Sequence, residues 1–129
     1  MNKQRRRELN KIACKIESIY FPVNIAKLDF IKNNIEIILM DEEMAFENMP
    51  EGLQMSYRGT TSQEAQSSMA EAIDLIDEFI NDYQEYEINK NYHSNEDEDE
   101  DEEDIESEIE DRLQDLISEV VEYLETAAE

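Results

Sequence analysis

The chain has 129 residues and carries 35 carboxylates against 11 Lys and Arg, a net −24, which disfavours nucleic acid and anionic membrane as direct ligands. Two Gly and two Pro are too few for a turn-rich β fold. The single cysteine, Cys14, rules out an intramolecular disulfide and a Cys-based zinc site.

The length allows one small domain with a modest core. The longest apolar run, Ile37 to Met40, is far shorter than a bilayer span. The basic start Arg5-Arg6-Arg7 meets Glu8, not a secretory apolar stretch, so the sequence reads as cytoplasmic. Charge is segregated along the chain. Residues 1–32 are net +5, residues 33–95 net −12, and residues 96–129 net −17. A basic N-terminal block facing acidic helices predicts docking between the two within the fold.

Leu9, Ile12, Ala13, Ile16, Ile19 and Tyr20 recur at steps of three and four, which predicts an amphipathic helix that stops before Phe21-Pro22. Asn24 is suited to cap a second helix. Its face is Ile25, Leu28, Ile31, Ile35, Ile38, Leu39, Glu42 and Phe46, with Glu42 the one polar intrusion, and it should end near Asn48. Met40, Met44 and Met49 are flexible apolar residues expected to fill gaps in the core, with an adaptable surface as the alternative. A connector rich in turn residues follows, with Pro50, Gly52 and Gly59. Thr61-Ser62-Gln63-Glu64 matches a capping box and predicts a third helix from Thr61 to about Ile88. Ala65, Met69, Ala72, Ile73, Ile76, Phe79, Ile80 and Tyr83 form its apolar face. Glu71, Asp74, Asp77, Glu78, Asp82 and Glu85 lie opposite. His93 falls in a polar stretch and reads as solvated.

Residues 96–104 are nine consecutive carboxylates. Such a run repels itself and predicts extended or mobile backbone. Ile105, Ile109, Leu113, Leu116, Ile117, Val120 and Leu124 then mark a fourth, acidic amphipathic helix. The expected fold is all-α: a small antiparallel bundle of three main helices over 1–95, an acidic linker at 96–104, and an acidic C-terminal helix at 105–129.

The stretch Phe46-Glu47-Asn48-Met49-Pro50-Glu51-Gly52-Leu53-Gln54, with Ser56, Arg58 and Gly59, resembles a motif of small helical bacteriophage and prophage proteins. There it joins two long helices, the second continuing as Glu71-Ala72-Ile73-Asp74 does here. The resemblance covers about residues 36–88 and implies a phage-like origin without an activity. In its acidic, compact, helical style the chain is also similar to DNA-mimic inhibitors, among them anti-CRISPR and anti-restriction proteins.

Enzyme chemistry finds no support in the residue patterns. Asp97, Asp99, Asp101, Glu103 and Glu108 copy the spacing of a calcium loop, but Glu102 stands where its turn needs glycine. Glu43 with Glu47 and Glu71 with Asp74 are near misses for the paired Mg²⁺ carboxylates of all-α pyrophosphohydrolases. No phosphate loop and no nucleophile with a base are present. No catalytic residue, metal ligand or cofactor is therefore assigned.

The carboxylates of the third helix recur about once per turn, roughly every 5.4 Å, broadly like the phosphates of one DNA strand. Asp74, Glu78, Asp82 and Glu85 with Glu98, Asp99, Asp101, Glu102 and Asp104 are the candidate partner-binding residues. The expected function is a phage-type acidic inhibitor in the bacterial cytoplasm. It would occupy the basic groove of a nucleic-acid-binding host defence protein, a CRISPR effector nuclease or similar. It would bind no nucleic acid and no membrane itself, and it has apolar stripes enough for a homodimer. The alternative is a phage structural or scaffold module with a solubilising acidic tail.

Overall fold

The computed structural model of the chain describes the backbone of residues 1–20, 23–92 and 99–129, and all of their side chains except those of 89–92 and 99–104. The fold is all-α. Helix α1 spans Lys3–Glu17 and starts on Asn2, whose side chain accepts the Arg5 N–H at 2.8 Å. It stops earlier than Phe21-Pro22, on Ser18, which closes back on Lys15 and Ile16. Helix α2, Ile25–Glu47, is capped by Asn24 as expected, its side chain accepting the Ala26 N–H at 3.0 Å. Each such cap satisfies an otherwise orphaned amide.

The connector holds a further single helical turn, α3, at Glu51–Gln54. Gln54 gives the motif a physical role. Its side-chain amide donates to the Phe46 carbonyl at 3.0 Å and to the Met49 carbonyl at 3.2 Å. These carbonyls lie at the open end of α2, so Gln54 caps that helix from outside. Gly59 lets the chain turn back closely. A Cβ there would lie 1.9 Å from the Gln54 carbonyl oxygen.

Helix α4 spans Tyr57–Tyr92 and α5 spans Asp99–Ala127. The capping box at Thr61 does not form. Helix α4 begins four residues sooner, with the Thr60 N–H bonded to the Ser56 carbonyl at 3.0 Å. Thr61 lies inside the helix and donates its hydroxyl to the Tyr57 carbonyl at 2.8 Å, a local bond that helical Thr readily makes. The close pass at Gly59 allows this early start, which a reading from Thr61 onward could not see.

Helix α1 packs on α2 and α5, α4 packs on α2 and α5, and α3 packs on α4. The acidic C-terminal helix is thus an integral wall of the core and not an appendage. Leu9 and Ile16 of α1, Leu28 and Ile35 of α2, Met69 and Ile76 of α4, and Leu113 and Leu124 of α5 are all fully buried. Each such side chain contributes about 1.5–3 kcal/mol relative to exposure. Met40 and Met44 do not join them and are 60% and 57% exposed. Tyr20 is also exposed.

The polar intrusion on α2 ties three helices together. Glu42 is 1% exposed. Its Oε2 accepts from Arg5 Nε of α1 at 2.8 Å, and its Oε1 accepts from the Ser62 hydroxyl of α4 at 2.8 Å. The Met1 amine lies 3.5 Å from Oε1, and Gln66 donates to Ser62 at 3.2 Å. Burial pushes the Glu42 carboxyl up. The Ser62 hydrogen bond, the Met1 ammonium and Arg5 outweigh it and hold the group below its ordinary 4.5. The basic N-terminal block does dock on an acidic position of the fold, through Arg5 and Glu42.

Candidate partner-binding face on α4 and α5

At 100° per residue, Glu71, Asp74, Glu78, Asp82 and Glu85 fall within one arc of roughly 80° on α4. Asp74, Glu78 and Glu85 are exposed and make no ion pair among the described residues. Asp77 belongs elsewhere. It accepts Lys32 Nζ of α2 at 2.7 Å, and this bond holds Lys32 above its ordinary 10.5. Asp82 is half-buried and pairs with Arg112 of α5. Of the α4 candidates, Asp82 is therefore committed within the fold, and the other three face outward.

A second row was present in the sequence as Glu108, Asp111, Asp115, Glu119 and Glu122, spaced by three and four, but only packing gives it a place. All five are exposed on α5. The pairing of Asp82 with Arg112 brings the two rows to the same seam. Leu75, Phe79 and Leu116 floor a shallow groove of about 200 Å³ there, with Glu78, Arg112, Asp115 and Glu119 on its walls. Two carboxylate rows thus run along adjacent helices with a narrow apolar strip between them.

Asp99, Asp101, Glu102 and Asp104 form part of the first turns of α5. The backbone of 99–104 is helical, not extended, because carboxylates suit the positive end of a helix dipole. Helix α5 accordingly starts six residues before Ile105, which is itself 42% exposed. Residues 99–108, which share the calcium-loop spacing, lie in helical backbone. Glu98, Asp97 and His93 lie outside the described residues. Among the described residues no group of three or more His, Cys, Asp or Glu is placed to hold a metal ion, and no helix is long and apolar enough to cross a membrane.

No protein family, curated protein or solved structure matches the chain.

Proposed function

We propose that this chain is a non-enzymatic binding protein that occupies a basic, nucleic-acid-binding surface of another protein through the carboxylate rows of α4 and α5. The observation that supports it is the seam at Glu78, Asp115 and Glu119, where exposed carboxylates from two helices converge and Arg112 is the one cation among the described lining residues. Solubility alone needs far less charge than −24 on 129 residues. A surface built for two phosphate rows would accept two carboxylate rows by the same electrostatics. The likeness of the Phe46–Gln54 stretch to phage helical proteins makes a bacterial defence protein, such as a CRISPR effector nuclease, the proposed target.

Capture from bacterial lysate at low and moderate salt, followed by a competition assay, tests the reading. The captured protein should bind duplex or guide-paired nucleic acid and lose it as this chain is added. The variant Asp74→Asn, Glu78→Gln, Glu85→Gln, Asp115→Asn, Glu119→Gln should compete at least tenfold less well, on the order of 1.4 kcal/mol. Captured proteins without nucleic-acid affinity, or equal competition by the variant, would overturn it.

A further inference from the structure

Helix α2 has two apolar faces, and the bundle uses one. Leu28, Ile31, Ile35 and Ile38 are buried. Phe30, Ile37, Met40 and Met44 fall within one arc of roughly 80° on the opposite side and are 58%, 57%, 60% and 57% exposed. A helix apolar on both sides is normally covered on both. Two methionines on such a face supply a surface that adapts to its occupant.

The edges of this face differ in charge. Glu36, Glu43 and Glu47 follow one edge at helical spacing, and Glu43 and Glu47 are exposed. On the other edge Asp41 and Lys27 are both exposed and offset one another, and Lys15 of α1 sits 5.8 Å from the Phe30 ring centre. A second copy fits poorly. Antiparallel pairing of α2 with itself about a two-fold axis sets each edge beside its own kind, so Glu36, Glu43 and Glu47 would face the same residues of the other copy. Like charges across an interface are strongly disfavoured.

We propose that the outer face of α2 is a docking site for an amphipathic helix of another protein that carries Lys or Arg along one edge of its apolar stripe. Its apolar residues would lie over Phe30, Ile37, Met40 and Met44, and its cations over Glu36, Glu43 and Glu47, a helix-on-helix mode of recognition. This site is independent of the α4–α5 seam.

The probe is a designed, fluorescein-labelled helical peptide with Leu at heptad spacing and Lys along one edge, with a twin bearing Glu in place of Lys. Fluorescence anisotropy at moderate salt should show binding of the Lys peptide only. Ile37→Glu with Met40→Glu should weaken it about tenfold or more. Reversing Glu36, Glu43 and Glu47 to Lys should abolish Lys-peptide binding and create affinity for the Glu twin. Reversing Asp74, Glu78 and Glu85 to Lys should change binding less than about threefold once salt screens distant charge. A benzophenone on the peptide should crosslink within residues 30–47 of the unaltered protein, a readout that needs no variant to fold. Equal weakening by both reversal sets, crosslinks on α4 or α5, or a dimer of the parent that Ile37→Glu dissociates would each overturn the proposal.

Discussion

Glu42 and Glu78 carry the same side chain in opposite circumstances. Glu42 lies in the core, where Arg5, Ser62 and the Met1 amine surround it. Glu78 lies on the α4–α5 seam with Asp115 and Glu119 for company. In the first region charge is compensated at short range and fixes how three helices meet. In the second it is left uncompensated, which costs the folded state a little through self-repulsion. The same chemistry therefore serves structure inside and, in the function proposed above, recognition outside, and substitutions in the two regions should move stability in opposite directions.

The largest effect is expected at Glu42. Glu42→Ala leaves Arg5 and Ser62 without their acceptor and should cost about 3 kcal/mol in urea unfolding, as breaking a buried pair typically does. A loss below about 1 kcal/mol would mean that the network contributes packing and little else. The pH dependence follows from the direction of the shift. The folded carboxyl titrates below its ordinary 4.5, so its contribution is complete above that value and fades as pH falls through the folded one. The stability gap between the parent and Glu42→Gln should be constant from neutral pH down to about 5 and then shrink with acid. A gap that widens on acidification would reverse the assignment.

Next comes the closure of α3 against α4, where the two glycines differ. Gly59→Ala forces a Cβ against the Gln54 backbone and should cost about 2 kcal/mol, in the range of overpacking. Gly52 has nothing within 4 Å of an added Cβ. Gly52→Ala should be neutral or stabilising by up to about 1 kcal/mol, because alanine loses less entropy on folding. Thermal melts of the two variants side by side decide this, and equal midpoints would sink it.

How far the sequence foretold this molecule depends on the kind of information each feature needs. Apolar spacing located the buried faces well: all eight stripe residues of α4, from Ala65 to Tyr83, are buried. Asn24 and Pro50 bounded α2 because caps and proline act through the local backbone. The close approach of Gly59 to Gln54 is a contact between two segments. Nothing near Thr61 records it, and the helix start there was misplaced. Spacing marked the buried stripe of α2 correctly and left Met40 and Met44 off it; they read as gap fillers from their flexible apolar side chains alone, and the fold leaves them exposed. At the candidate site the outward carboxylates of α4 were legible. Their convergence with the α5 row required the pairing of Asp82 with Arg112, whose partners lie 30 residues apart.

The smallest effect should appear on the outer rows, and its sign is what matters. Asp74, Glu78, Glu85, Asp115 and Glu119 are exposed and hold no cation among the described residues. Converting them to Asn and Gln removes repulsion and no folded-state bond. The melting midpoint should rise by a few degrees at low salt, and the gain should vanish near about 1 M salt, where screening acts within about 3 Å. Asp82→Asn should give no such rise, because it removes a carboxylate that Arg112 already neutralises. If the five-fold variant instead melts lower than the parent at low salt, those carboxylates hold the bundle together. The contrast with Glu42 would then fail, and the α4–α5 face would lose its claim to be a surface kept for a partner.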